Sequence, residues 1–215
     1  MKFNTVILFI VSIVICNFTI AQTAHRLSFG IQGGVNFQNL NGSDENGVKM
    51  KNGLIPGFNV GPTVEIPIAP DMYFQTAILL STKGANIKNT ISNPKVRLSY
   101  IEMPFHFLYK ALLGNGHVLI GLGPYIAYGI SAGTNNSLVK FKNTVEITDP
   151  LEVFYYNKFD AGADLFFGYE FSNSVSFRLN TQLGLLNIKT ADDRFQSDKS
   201  TSKNTGFGLS LGYRF

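Results

Sequence analysis

The sequence predicts an all-β protein, an eight-stranded antiparallel up-and-down transmembrane β-barrel with short periplasmic turns and long extracellular loops. Three observations predict it. Apolar and polar residues alternate with a period of two through eight segments; the connections between them alternate long and short; and many glycines and aromatics accompany few charges. Of 215 residues, 13% are aromatic (19 Phe, 9 Tyr, no Trp), 21 are Gly and 15% are charged, against about a quarter charged in soluble domains. That composition excludes a disordered chain, which would be richer in charge and poorer in aromatics. The formal charge of +4 is mild and scattered. It lacks the clustered basic face of a nucleic-acid binder, so no nucleic-acid partner is expected.

The first 21 residues read as an export signal and residues 22–215 as the barrel domain. Met1-Lys2 begins the segment, an apolar run from Val6 to Ile15 follows, and Thr19-Ile20-Ala21 has small residues where a signal peptidase needs them. Cleavage is expected between Ala21 and Gln22. The alternative is an uncleaved anchor, for which the run is short. A lipid attached at Cys16, the single cysteine, is disfavoured by the bulky Ile15 before it. The mature chain then has no cysteine and a charge of +3, because Lys2 leaves.

Each strand follows from its parity. In Leu27–Gln38 the odd positions (Leu27, Phe29, Ile31, Val35, Phe37) are apolar and the even ones polar or Gly, a pattern no helix gives. Phe58, Val60, Val64 and Ile66 then oppose Asn59, Thr63 and Glu65. Met72, Phe74, Ile78 and Leu80 oppose Tyr73, Gln75, Ser81 and Lys83. Ile101, Met103, Phe105, Phe107 and Tyr109 oppose Tyr100, Glu102, His106 and Lys110. Val118, Ile120, Leu122, Ile126, Tyr128 and Ile130 oppose Gly121, Tyr125, Gly129 and Ser131. Phe159, Leu165, Phe167, Tyr169 and Phe171 oppose Asp160, Asp164 and Glu170. Val175, Phe177, Leu179, Leu183 and Leu185 oppose Arg178, Asn180 and Gln182. Finally Phe207, Leu209, Leu211, Tyr213 and Phe215 oppose Gly206, Ser210 and Arg214. Such long alternating segments suit membrane strands. The uncharged run Val118–Val139 is long enough for a membrane helix, but five Gly or Pro residues would ruin one and the alternation survives them.

The connections Asn39–Gly53, Gly84–Val96, Gly133–Asn157 and Lys189–Lys203 are long, whereas Pro67–Asp71, Ala111–Gly116 and Ser172-Asn173 are short. In an outer-membrane barrel the short ones face the periplasm, so both chain ends lie there. A soluble meander would enforce no such regularity. Outward Phe74, Phe107, Tyr109, Tyr169, Phe171, Tyr213 and Phe215 all fall at periplasmic strand ends and form one expected interfacial girdle. Phe37, Tyr128 and Phe159 form a weaker second one.

These residues resemble the PorT-like outer-membrane β-barrel family of Bacteroidetes. The resemblance spans Leu27 to Phe215 and rests on Phe29-Gly30-Ile31-Gln32-Gly33-Gly34-Val35-Asn36, Gly57–Pro67 and Leu80-Ser81-Thr82-Lys83-Gly84-Ala85. It continues in Leu98-Ser99-Tyr100-Ile101-Glu102-Met103-Pro104, Gly121-Leu122-Gly123-Pro124-Tyr125 and the terminal Leu209–Phe215. It implies the barrel fold and the Gram-negative outer membrane. For some members it implies a part in type IX secretion and gliding, hence secretion-system components as partners.

Eight strands leave a lumen just wide enough for side chains. Its expected polar network comprises Glu65, Lys83, Glu102, Asp160, Asp164, Glu170, Arg178 and Arg214, with Lys110 beside it. Buried charges must pair. Glu170 and Arg178 on one hairpin are expected to do so, with Arg214 as competitor. Glu102 and Asp164 could act as a general acid and base; the blander reading is that they hydrogen-bond to lumen partners. His25, His106 and His117 lie away from the outer loops, and Asp44-Glu45 and Asp192-Asp193 read as solvated loop acids. No catalytic residue, cofactor or metal is therefore expected. Three function classes compete: a structural or interaction barrel, a narrow gated channel and, weakest, a rim enzyme. The expected partners are outer-membrane lipid and lipopolysaccharide. The insertion machinery would read the C-terminal strand, which ends in Phe215.

Overall fold

The computed structural model describes residues 27–44, 47–88, 95–134, 139–150, 153–190 and 199–215. The signal-cleavage pair Ala21–Gln22 and His25 lie outside them. Among the described residues the only regular elements are strands. In chain order they are β1 (Ser28–Ser43), β2 (Ile55–Ala69), β3 (Met72–Ala77), β4 (Leu79–Asn86), β5 (Lys95–Leu113), β6 (Gly116–Thr134), β7 (Val139–Phe141), β8 (Phe154–Tyr156), β9 (Phe159–Glu170), β10 (Val175–Gly184) and β11 (Thr201–Arg214).

Neighbouring barrel strands are antiparallel, and β1 pairs with both β2 and β11, which closes the sheet. Closure leaves no edge with unpaired backbone groups. The wall has eight staves, because β3 and β4 are two halves of one strand. Proline explains the break. The registers place Pro62 opposite Ile78 on one side and Pro104 opposite Ala77 on the other. Neither proline has an N–H to give, so the ladder is interrupted on both flanks at one level. The Ile78 N–H still donates to the Pro62 carbonyl (3.1 Å).

Every barrel strand keeps the expected faces through its middle and at its short-turn end. Phe29, Phe58, Phe107, Leu122, Phe167, Leu179 and Leu211 are exposed outside, while Glu65, Gln75, Lys110, Glu170 and Arg178 are buried inside. One assignment is corrected. A bulge at Ile130 shifts the β5–β6 register from Tyr100↔Gly129 to Ser99↔Ser131. Ser131 therefore turns outward beside Ser99, and Ala132 turns inward against the apolar core. A bulge changes parity because it adds one residue to one strand.

The strands also run further toward the long loops than hydropathy indicated; β1 reaches Ser43, β5 starts at Lys95 and β11 at Thr201. At that end the faces invert. Leu40, Ala85, Val96 and Leu98 point inward and pack with Tyr100, Tyr125, Val139, Tyr156 and Ile188 into one buried cluster. The β6–β9 connection folds over it as the parallel pair β7–β8. The Phe141 ring meets Tyr100 edge-on at 5.9 Å and lies over Gly129, where a Cβ would collide with it. A second small cluster, Val145, Val153 and Tyr155, lies within this connection.

Candidate functional site in the barrel lumen and at its outer mouth

Inward parity brings the charged side chains together in two networks stacked along the lumen. In the one nearer the short turns, Lys110 Nζ donates to Glu65 Oε2 (2.6 Å) and Glu170 Oε2 (3.1 Å), and Arg214 Nη2 donates to Glu170 Oε1 (2.7 Å). Gln75 Nε2 donates to Glu65 Oε1, and its own Oε1 accepts from Arg178 Nη1, both at 2.8 Å. Arg178 also lies 3.8 Å from Glu65 and stacks over the Phe166 ring. The expected Glu170–Arg178 pair is thus corrected. On the hairpin Glu170 faces Ser176 while Arg178 faces Gly168, so they are only diagonal neighbours. Arg214 takes the carboxylate instead, and Arg178 crosses the lumen to Glu65 and Gln75.

The second network centres on Lys83, which is wholly buried. Its ammonium lies 2.7 Å from Glu102 Oε2 and 3.1 Å from Asp160 Oδ2, and 4.0 Å from the centre of the Tyr125 ring. Tyr125 Oη (3.2 Å) and Asn204 Nδ2 (2.9 Å) donate to the same Asp160 oxygen, and Gln182 Nε2 donates to Glu102 Oε1 (3.0 Å). One cation faces two carboxylates here, so the amides and hydroxyl supply the remaining donors.

Between the networks lies a polar cavity of about 40 Å³ lined by Asn36, Asn59, Ser81, His106, Asp164 and Asn180, among others. His106 Nε2 and Asp164 Oδ2 are 3.4 Å apart. The cavity has room for a few water molecules at roughly 10–15 Å³ each. Glu102 and Asp164 both line it but keep separate partners, Lys83 with Gln182 and His106 respectively. His117 lies at the β5–β6 turn, in register with Glu170. Among the described residues no three His, Cys, Asp or Glu side chains gather as a metal site. Asp44 caps its own loop by accepting the Val48 N–H (2.9 Å); Glu45 and Asp192-Asp193 lie outside the described residues.

At the outer mouth the apolar cluster closes the lumen above Lys83. Burial among these side chains pushes the Tyr156 hydroxyl pKa above its usual range. Over the mouth, Lys142 Nζ donates to Asp149 (2.5 Å), a hydrogen bond that raises the lysine pKa. Parity found the inward charges, but their amide partners Gln75, Gln182 and Asn204 and the apolar plug were not singled out. The plug's signal is the reversed alternation in Lys95-Val96-Arg97-Leu98 and Asn39-Leu40-Asn41.

The seven aromatics of the expected short-turn girdle occupy outward positions at that end. Phe74 packs edge-on against Phe107 (6.2 Å), Tyr169 against Phe171 (5.0 Å) and Tyr213 against Phe215 (5.4 Å). Tyr109 pairs with Met72 and Ile120, and the Tyr169 hydroxyl donates to the Leu113 carbonyl (2.9 Å). Nearer the loops, Phe37 stacks on Phe207 (5.5 Å) and Tyr128 faces Phe159.

An apolar outer wall, a lumen packed with paired charges and long loops at one end describe a membrane barrel, and the sequence matches one over residues 20–190. The chain belongs to the outer membrane protein beta-barrel domain family. No curated protein matches it. Among solved structures it is similar to the outer membrane protein OprG of Pseudomonas aeruginosa, at 13% identity over 89% of this chain and 97% of that one, with a TM-score of 0.50. It is also similar to Neisserial surface protein A, at 11% identity over 88% and 99% of the two chains, with a TM-score of 0.45. The likeness is one of fold. The protein is thus an eight-stranded barrel of the Gram-negative outer membrane, with its short turns toward the periplasm and its long loops outside.

Proposed function

We propose that the barrel is a non-conducting structural and interaction protein, exported by a signal peptide cleaved between Ala21 and Gln22, that presents its extracellular loops to partners. The observation that carries this reading is the double closure of the lumen. Two networks of paired charges fill it, and the apolar cluster around Leu40, Leu98 and Ile188 covers them on the outer side. An ion entering from outside would have to cross that cluster without water, at a cost far above thermal energy. The folded β6–β9 connection, held by Lys142–Asp149 and the Val145 cluster, offers a shaped surface rather than an open vestibule. No chemical step is assigned to Glu102, which is held by Lys83 and Gln182, or to Asp164, which lies 3.4 Å from His106.

The resemblance to PorT-like barrels supports a partner in secretion or envelope machinery, and a deletion strain tested for secretion and adhesion examines that part. Planar-bilayer recording tests the closed lumen: the expected outcome is no steady current, and discrete openings would replace this reading by a gated channel. The polar cavity between the networks favours that second reading, because it would form the wet middle of such a path.

A further inference from the structure

Charge on the outward face of the barrel is confined to one rim and one sign. The five carboxylates on the barrel strands, Glu65, Glu102, Asp160, Asp164 and Glu170, all point into the lumen. Outward positions on these strands carry no Asp or Glu, and the three cations they carry, Lys95, Arg97 and Lys203, all lie at the extracellular end. The outward face of β5 reads, from the periplasmic end, Tyr109, Phe107, Phe105, Met103, Ile101, Ser99, Arg97, Lys95. That of β11 reads Tyr213, Leu211, Leu209, Phe207, Thr205, Lys203. Each runs apolar, passes one small hydroxyl residue and then carries a cation, followed on β11 by the outward Thr201. Two exposed lysines join this rim. Lys88 follows β4, whose Asn86 pairs with Lys95, and Lys158 precedes β9 with its ammonium 5.7 Å from the Tyr128 ring. The stretch Gly84–Ser99 contains Lys88, Lys95 and Arg97 and no acid. At the periplasmic ends of the strands the outward residues are apolar, many of them aromatic, and uncharged; Asp71 lies in the β2–β3 turn beyond them.

The heights decide what these cations meet. Four residues separate Ile101 from Arg97 and Phe207 from Lys203. At about 3.3 Å per residue on a strand tilted near 45°, that is roughly 9 Å above the last apolar side chain. Such a rise leaves the hydrocarbon and enters the headgroup layer. The side chains follow the lipid-facing parity and so point away from the barrel axis, not over the mouth where a soluble polyanion would approach. A cationic belt on the outer rim alone, above a continuous apolar wall, complements an anionic headgroup confined to the outer leaflet. We propose that Arg97 and Lys203, with Lys88, Lys95 and Lys158, form a belt that binds the phosphates of a phosphorylated glycolipid of the outer leaflet. This deepens the membrane-lipid partner expected for the barrel and rests on that reading.

The test uses the full-length barrel in detergent micelles, with bisphosphorylated lipid A and the same lipid stripped of phosphate as probes. The expected result is at least about tenfold tighter binding of the phosphorylated form. That preference falls by about tenfold or more in Arg97→Gln/Lys203→Gln, since each cation near a charged lipid surface contributes roughly a fivefold factor. Lys49→Gln/Lys51→Gln, in the first extracellular loop, leaves the preference unchanged. Equal binding of the two lipids, an unchanged preference in the belt variant or an equal loss in the loop variant overturns the proposal. So does displacement of the lipid by inorganic phosphate, which would assign the cations to soluble anions. Heat-modifiable gel mobility and liposome insertion of every variant keep a failure of the belt distinguishable from a failure of the membrane reading.

Discussion

The barrel is two solvents' worth of architecture divided near Tyr100 and Tyr125. Below that level the wall is apolar outside and charged inside; above it the wall is polar and cationic outside and apolar inside. The backbone ladder runs through the boundary unchanged, as β1 and β11 stay paired from Gly30↔Arg214 to Ser43↔Thr201. What changes is the medium on each face. In hydrocarbon the outer face must be apolar, and the polar side chains can only turn inward and pair. Above the membrane the outer face meets water and headgroups, and the interior packs like that of a soluble protein. Strand pairing is therefore indifferent to the medium, while side-chain parity reports it directly.

Breaking the charge network at the boundary should have the largest effect. Lys83→Met leaves the buried carboxylates of Glu102 and Asp160 without their cation. Removing one partner of a buried pair costs about 3–5 kcal/mol. The fall should appear as a lower urea midpoint for the heat-modifiable form in lipid vesicles. Lys83→Met/Glu102→Gln/Asp160→Asn, which removes the charges together, should recover part of it. A single variant as stable as the parent would show that water reaches Lys83 and that the two halves are not sealed from each other.

The apolar upper half should follow. Leu98 is fully buried in the cluster, and Leu98→Ala should cost about 2–5 kcal/mol through lost burial and the cavity left. Its second readout is conductance. If the cluster is the seal, Leu98→Asp should allow brief current steps in planar bilayers where the parent allows none. Current from neither chain would locate the seal in the charge networks instead.

How much of this was legible in the sequence follows the same division. Below the boundary the period of two is strong because the two faces meet media of opposite polarity, so Phe167, Asp164 and Glu170 were assigned correctly from parity alone. The partner of each charge was not legible. Glu170 chooses Arg214, and Arg178 chooses Gln75 and Glu65 across the lumen; hairpin register fixes neighbours along the wall but not contacts through its centre. Above the boundary the rule of apolar outside ceases to hold: Leu40 and Val96 fall within the expected long connections, and Leu98 falls in none of the alternating segments. The Ile130 bulge is likewise silent in a hydropathy pattern, because Ile130 and Ser131 are both exposed.

The boundary itself can be located from outside. Leu209 and Thr205 are both outward on β11, four residues apart along the strand. Leu209→Arg puts a cation into hydrocarbon and should cost about 2–4 kcal/mol, whereas Thr205→Arg, next to Lys203, should cost about 0–1 kcal/mol. Vesicle unfolding midpoints measure both. Equal losses would move the membrane edge outward past Thr205, and with it the height assigned to Arg97 and Lys203.

A small equilibrium effect is also expected at the periplasmic end, and there assembly and stability separate. Phe215 is 75% exposed to the surroundings of the barrel, and its backbone N–H already donates to the Phe29 carbonyl (2.8 Å). Phe215→Ala keeps that hydrogen bond and loses ring contact with Tyr213, about 1 kcal/mol of apolar burial. If Phe215 were only a girdle aromatic, nothing further would follow. If the aromatic end of this alternating apolar strand is also read by the insertion machinery, its loss acts before the barrel has closed. We therefore expect Phe215→Ala to fold into lipid vesicles with nearly the parent's midpoint, yet to accumulate in the periplasm and be degraded in cells. Quantitative fractionation of outer-membrane and periplasmic pools checks it. Parental levels in the outer membrane would return Phe215 to the girdle, and a large loss of the in vitro midpoint would show that the last turn of the barrel depends on this ring.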